Sequence, residues 1–191
     1  MSASRIVMLG APGSGKGTQA ARLIEWMQVP HVSTGDMLRA AVAAGTEVGL
    51  RAKAVMEAEE LVSDEIVTDI ARDRLGQADA AGGFILDGFP RTLAQADALD
   101  GIVQAMGEKI DCCLALTVDA EAVIERLLKR AEIEGRADDN EEAIRQRIRV
   151  YEEQTAPLFD HYRGQGILVE ISGMGEIDGV AASVKAKLGS L

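Results

Sequence analysis

Residues 10–18 read Gly10-Ala11-Pro12-Gly13-Ser14-Gly15-Lys16-Gly17-Thr18, directly after the apolar run Ile6-Val7-Met8-Leu9 and directly before the helix-forming stretch Gln19-Ala20-Ala21-Arg22-Leu23-Ile24. A buried strand, a glycine-rich turn and a helix in that order form a phosphate-binding loop. Glycines at 10, 13, 15 and 17 let the backbone curl until several N–H groups point inward, and the helix adds its positive N-terminal end. Lys16 supplies a mobile full charge. The pattern G-x-x-x-x-G-K-[ST] expects a hydroxyl at position 17, where this chain has Gly17 and delays the hydroxyl to Thr18. A Mg²⁺ ion accompanying a bound polyphosphate is then expected to rely more on water and on nucleotide oxygens than on a direct hydroxyl ligand.

The chain's 191 residues suffice for one large domain with excursions. With 47% hydrophobic and only 3% aromatic residues, Ala, Val, Leu, Ile and Met must fill the core. A formal net charge of -11 repels nucleic acid and anionic membranes, so any anionic ligand must be drawn by a local cluster of cations. The apolar run near the N-terminus is too short for a signal peptide, and no stretch approaches membrane-spanning length. The two cysteines, Cys112 and Cys113, are adjacent on an expected strand and point to opposite faces. They read as small apolar core residues of a cytoplasmic protein, not as a disulfide or a zinc site.

Four apolar runs have the character of buried parallel strands: Ile6 to Leu9, Phe84 to Leu86, Leu114 to Val118 and Ile167 to Ile171, with His31-Val32-Ser33 as a weaker fifth. Helical stretches lie between them, at Thr18 to Met27, Leu93 to Met106, Ala120 to Arg130, Asp138 to Tyr162 and Ile177 to Leu188. This alternation predicts an α/β fold, a three-layer, doubly wound, five-stranded parallel sheet whose ligands bind beyond the carboxyl ends of the strands. Between His31 and Phe84 the strand rhythm lapses for about fifty residues in favour of polar helices at Met37 to Ala44, Val48 to Ala58 and Asp64 to Leu75, which reads as an inserted helical subdomain. The segment Glu132 to Ala137 interrupts two helices and reads as a short flap.

Three further constellations carry chemistry. Asp87-Gly88-Phe89-Pro90-Arg91 follows a strand, placing a carboxylate where Mg²⁺ or its water shell would be held and aiming Arg91 from a fixed turn. Arg126 and Arg130 share a helix face, Arg136 sits in the flap, and Arg145, Arg147 and Arg149 follow. Arg145 and Arg149 fit a solvated helix paired with nearby glutamates, whereas Arg126, Arg130, Arg136 and Arg147 suit the cations that phosphoryl transfer needs around its equatorial oxygens. Ser33-Thr34-Gly35-Asp36 ends a strand ahead of Arg39; a helix cap explains Thr34 and Asp36 as readily as a ligand does.

In order, Gly10-x-Pro12-Gly13-x-Gly15-Lys16-Gly17-Thr18-Gln19, Ser33-Thr34-Gly35-Asp36-Met37-Leu38-Arg39, Asp87-Gly88-Phe89-Pro90-Arg91-Thr92 and Gly135-Arg136-x-Asp138-Asp139 make a pattern that resembles the adenylate kinases, nucleoside monophosphate kinases, over nearly the whole chain. That family carries Gly-Thr after the lysine, so Gly17 supports the resemblance. The resemblance implies that Gly13, Ser14, Gly15, Lys16, Gly17 and Thr18 bind ATP phosphates, with Arg130 also on ATP and Gly175 near its base. It implies an AMP site at Thr34, Arg39, the backbone of Glu60, Leu61 and Val62, the run Gly88, Phe89, Pro90 and Arg91, and the Gln95 amide reading adenine. Arg136 and Arg147 would reach the AMP phosphate and the transferring group, and Arg126 fits the phosphate-binding pattern. Asp138 and Asp139 resemble a pair that orients flap arginines.

The implied organisation is one kinase domain, with core 1–32, 63–129 and 138–191, a monophosphate-binding insertion at 33–62 and a short lid at 130–137. Longer relatives carry a lid that can hold zinc on four cysteines; five residues separate Arg130 from Arg136 and none is cysteine, so zinc is not expected. The implied reaction is Mg²⁺-dependent phosphoryl transfer from ATP to AMP giving two ADP, in a cytoplasmic monomer. A UMP/CMP kinase shares most of these motifs, with Thr34 and Gln95 favouring adenine. A guanine switch would want Asn-Lys-x-Asp, but the single asparagine, Asn140, precedes Glu141-Glu142. A regulatory ATP-binding module leaves the acceptor pocket and transfer arginines without a purpose.

Overall fold

A computed structural model of the chain describes residues 4–43, 45, 50, 53, 62–134 and 140–190. Within them, five strands form one parallel sheet: β1 (Arg5–Gly10), β2 (His31–Ser33), β3 (Phe84–Asp87), β4 (Cys112–Thr117) and β5 (Leu168–Ser172), in the order β2-β3-β1-β4-β5. The helices are α1 (Lys16–Met27), α2 (Thr34–Ala43), α3 (Asp64–Leu75), α4 (Leu93–Ala105), α5 (Ala120–Glu134), α6 (Glu141–Val150), α7 (Leu158–Gly164) and α8 (Ile177–Leu188). The chain starts β1 in the middle of the sheet, runs to β2 at one edge, returns to β3 between them, then crosses to β4 and β5 on the other side. The carboxyl ends of β1 and β3 are therefore neighbours at the reversal of strand order, where open α/β sheets bind ligands.

Strand periodicity decides which core each side chain joins. From β1, Val7 and Leu9 pack with Leu86, Cys113 and Ala115 against α3, α4 and α7, through Ala71, Leu75, Leu99, Leu158 and Tyr162. Ile6 and Met8 go the other way, with Ile85, Cys112 and Leu114, against Leu23 of α1 and Val184 and Leu188 of α8. The two cysteines thus serve opposite cores, both as free thiols. A third cluster, Val123 and Leu127 of α5 with Ile144 of α6, packs beside Ala11. It holds the phosphate loop against α5.

All five expected strands form, with ends within two residues of expectation. The expected helix from Asp138 to Tyr162 lies partly outside the described residues, and the remainder is broken. After α6 the backbone makes a π-helical turn, Tyr151–Thr155, closed by the Ala156 N–H donating to the Tyr151 carbonyl at 2.8 Å, and α7 begins after Pro157. Pro157 has no N–H to continue the α-helical ladder, so the chain takes one wide turn and restarts. That break has a use in the site below.

Candidate active site

Beyond the carboxyl ends of the strands lies a cleft of about 940 Å³, lined by the phosphate loop, β2 with the start of α2, the turn after β3, and parts of α5, α6 and the π-helical turn. The loop has the geometry an anion needs. Gly10, Gly13 and Gly15 have positive φ (147°, 76° and 92°), and Gly15 occupies the N-cap of α1 with a left-handed backbone and no side chain to cover the first N–H groups. Those donors and the helix dipole face the cleft. Gly17 departs from expectation: it lies inside the first turn of α1 and contributes no curl. An added Cβ there would meet only Asp87 Oδ2, at 3.8 Å. The absence of a side chain at 17 therefore keeps space open in front of Asp87.

Lys16 Nζ curls back over the loop, donating to the carbonyls of Gly10 at 2.6 Å and Ala11 at 3.0 Å. Asp87, at the end of β3, faces it. Burial opposes ionisation of Asp87, but His31 and the positive charges of Lys16 and Arg91 outweigh it and hold the carboxyl below its usual range. His31 Nε2 stands 3.5 Å from Asp87 Oδ2, an electrostatic contact and not a well-formed hydrogen bond. A carboxylate kept ionised beside a phosphate loop suits a hydrated Mg²⁺, which is held through one or two carboxylates together with substrate phosphates. Among the described residues no three His, Cys, Asp or Glu side chains converge as a metal cage.

The acceptor side of the cleft is organised by hydrogen bonds within the turn after β3. The Thr34 hydroxyl donates to the Gly88 carbonyl at 2.9 Å, and Arg91 Nε donates to the same oxygen at 2.8 Å. Thr34 is thus tied to the turn, and the cap of α2 falls to Ser33, whose Oγ accepts from the Asp36 N–H at 3.3 Å. Asp36 pairs with Arg39. Burial works against its charge, yet the hydrogen bonds from Arg39 and Ser33 lower its carboxyl below the usual value. The backbone of Arg91 is clamped on both sides, its N–H donating to Gln95 Oε1 at 2.7 Å and its carbonyl accepting from the Thr155 hydroxyl at 2.8 Å. Thr155 belongs to the π-helical turn. The broken helix therefore braces the arginine-bearing turn from across the cleft.

Of the other expected residues, Gly13, Ser14, Gly15, Thr18, Val62, Pro90, Gln95 and Gly175 line the cleft, as do Arg39, Arg126 and Arg147. Arg126 donates to the Gly173 carbonyl at 3.1 Å. Phe89 is wholly buried in the core, so its side chain anchors the turn from beneath. Arg145 pairs with Glu141 at 2.9 Å and Arg149 is exposed, the solvated pattern expected of both. Glu60, Leu61, Arg136, Asp138, Asp139 and the Arg130 side chain lie outside the described residues.

Sequence reasoning gave no contact to His31, Thr155 or Gln19. Gln19, nearly buried, donates from Nε2 to the Ile177 carbonyl at 3.1 Å and so fastens the loop's helix to α8. Each partner is distant along the chain, so no local pattern announces it.

A family model described as Adenylate kinase matches residues 8–167. Similar curated proteins, each named Adenylate kinase, cover nearly the full length. One from Stenotrophomonas maltophilia (strain K279a) is 52% identical over 184 residues, 96% of this chain and 98% of the relative. One from Xanthomonas campestris pv. campestris (strain 8004) is 51% identical over 185 residues, 97% and 99% of the two chains. One from Caulobacter vibrioides (strain NA1000 / CB15N) is 53% identical over 183 residues, 96% of each.

Proposed function

We propose, because the chain belongs to the adenylate kinase family, that its reaction is the reversible transfer of the terminal phosphoryl group of Mg·ATP to AMP, giving two ADP. The observation that carries this reading is the pairing, in one cleft, of an open-capped phosphate loop with a second set of groups around Thr34, Arg39, Gly88, Arg91 and Gln95. A single-nucleotide binder needs only the first. The acceptor phosphate is already an anionic nucleophile, so no general base is required and catalysis is positioning plus electrostatics.

In this reading the loop N–H groups of Gly13 to Thr18 cradle the donor phosphates, and Lys16 leaves its carbonyl partners to meet the β/γ oxygens. Arg91, Arg126 and Arg147, with Arg130 and Arg136, neutralise charge on the transferring group. Gly175 lies near the donor base. Thr34, Arg39, Glu60, Leu61, Val62, Pro90 and Gln95 hold the AMP. Bound with ATP, Mg²⁺ would supply neutralisation of charge on the phosphate oxygens. Asp87 would hold its water shell, kept ionised for that by the neighbouring cations. Phe89 acts by fixing the turn.

Residues 33–62 and 130–137 are the proposed monophosphate-binding insertion and lid around a core of 1–32, 63–129 and 138–191; their closure excludes the water that would otherwise hydrolyse ATP. A cytoplasmic monomer fits this reading. Among the described residues no helix is long and apolar enough to cross a membrane. The test offers the purified protein Mg·ATP with AMP, UMP, CMP and GMP in turn and measures diphosphate formation. AMP should be the preferred acceptor, and a pyrimidine preference would overturn the substrate assignment while leaving the mechanism.

A further inference from the structure

Gln95 is held at both ends of its amide. Nε2 donates to Asp64 Oδ1 at 2.8 Å and Oε1 accepts from the Arg91 N–H at 2.7 Å, while the side chain, 1% exposed, borders the cleft. The other Asp64 oxygen accepts from the Thr92 hydroxyl at 3.1 Å, and Thr92 in turn N-caps α4 by accepting the Gln95 N–H at 3.2 Å. A carboxylate only accepts and a backbone N–H only donates, so these two partners dictate which end of the amide is oxygen and which is nitrogen. A flip would set carbonyl against carboxylate and NH₂ against N–H, in a place that water scarcely reaches.

We infer that Asp64 is a specificity-determining positioning residue, holding the Gln95 amide in the one orientation that favours a 6-aminopurine monophosphate over a 6-oxopurine. The inference rests on the proposed role of Gln95 as the reader of the acceptor base. Once both partners are satisfied, the amide retains one N–H and one oxygen lone pair. Adenine offers an acceptor, N1, beside an amino donor; hypoxanthine and guanine offer a donor, N1–H, beside a carbonyl. An amide free to turn over pairs with either edge. One locked at both ends pairs with one and meets the other with two donors and two acceptors opposed. Sites that hydrogen-bond a substrate discriminate strongly for this reason, because the wrong ligand leaves buried polar groups unpaired. Asp64 is the first residue of α3, immediately after Ser63, where the segment 33–62 rejoins the core. It thus also ties the first turns of α3 and α4 together, and the test must separate that structural service from base selection.

Asp64→Asn supplies the separation, since asparagine can accept from or donate to Gln95 and so removes one of the two constraints on the amide, leaving only the Arg91 N–H to oppose a flip. With AMP and IMP as acceptors, the ratio of their kcat/KM values should fall by about tenfold or more, through KM for AMP rising and KM for IMP falling, with kcat within about twofold of native. Thr92→Val removes the other Asp64 partner and should leave the ratio near native. In the native protein, one Gln95 side-chain amide proton should be protected from solvent exchange by NMR; both protons exchanging at solvent rates would overturn the inference, whether or not the Asp64 variant folds. An unchanged AMP to IMP ratio in folded Asp64→Asn, when Gln95→Leu does lose discrimination, overturns the Asp64 role alone. An unchanged ratio in Gln95→Leu removes Gln95 from base reading and this inference with it. Native protein that phosphorylates neither acceptor overturns the proposed reaction as well.

Discussion

The same substitution at two glycines of the phosphate loop should have opposite consequences. Gly10 has φ +147°, and an added Cβ would stand 2.6 Å from Ser14 Oγ and 2.7 Å from the Leu116 carbonyl oxygen. Serine can turn aside, but that carbonyl belongs to β4, which is hydrogen-bonded between β1 and β5 and has no room to retreat. A side chain forced into a glycine-only backbone region costs about 1–3 kcal/mol, and overpacking a fixed neighbour about 1–3 kcal/mol more. Gly10→Ala should therefore destabilise by about 2–6 kcal/mol. Gly17, in the first turn of α1, has ordinary helical backbone, and its Cβ would meet only Asp87 Oδ2 at 3.8 Å. Alanine there restricts the unfolded chain and favours the helix, a gain of about 0.4–1 kcal/mol.

For a domain of this length about 2–4 °C accompanies each kcal/mol, so thermal unfolding followed by circular dichroism without nucleotide should place Gly17→Ala about 1–4 °C above native and Gly10→Ala about 4–24 °C below. The stabilised variant should nonetheless turn over more slowly, because its methyl group enters the space in front of Asp87 where the hydrated metal is proposed. Shifts of the same sign, or of equal size, would refute the argument that φ and the rigidity of the neighbour decide the outcome. A Gly17→Ala protein with unchanged turnover would refute the use of that space.

Lys16→Met should cut turnover by about 10²–10³, the loss typical of one electrostatic donor, while the melting temperature stays near native; retained activity would remove Lys16 from the mechanism. Burial opposes the charge on Asp87 but His31, Lys16 and Arg91 hold its folded-state pKa below the unfolded value of about 3.9, so its stabilisation is present above that pH and lost as pH falls through the folded value. Denaturant titrations should show stability declining below about pH 4, less steeply in Asp87→Asn; identical slopes would refute the assignment. Burial pushes the Cys112 thiol up to about 12 and Cys113 higher still, so a thiol reagent should label neither in the native protein and both after unfolding. Stoichiometric labelling without unfolding would show that the β4 thiols are not sealed in their cores.

The strands and the loop were legible because their signals are local. An apolar run of four to six residues bounded by glycine, proline or aspartate can be little else when helices lie on either side. Pro157 was equally visible, but helical periodicity on both sides hides the break unless the missing N–H is weighed. What could not be read are contacts made by topology. His31 meets Asp87 because β2 and β3 pair in parallel with Ser33 beside Asp87 and His31 beside Ile85. Thr155 reaches Arg91 over 64 residues, Gln19 reaches Ile177 over 158, and Gln95 reaches Asp64 over 31. Thr155, Gln19 and Gln95 lie in helical segments where an amphipathic reading assigns them to no particular partner, and His31 lies on a strand whose neighbour the sequence does not name.

The sign of the charge inside the cleft is opposite to that of the chain as a whole. Among the described residues, Lys16, Arg39, Arg91, Arg126 and Arg147 line it against two carboxylates, Asp36 and Asp87, in a protein of net charge -11. Screening over about 8–10 Å in physiological salt isolates such a pocket from more distant surface charge, so a small polyanion that enters it senses chiefly the local cations. A long polyanion must also lie across the acidic exterior and is repelled there. Neither carboxylate is an error in this arrangement. Asp36 fixes the Arg39 guanidinium, and Asp87 balances Lys16 and Arg91 so that cations can cluster before any phosphate arrives. Without Asp87, Lys16 and Arg91 would have no carboxylate between them at the end of β3, and repulsion would favour displacing one of them from the cleft. The carboxylate proposed to steady the metal is therefore also what allows the cation cluster to exist in the nucleotide-free protein.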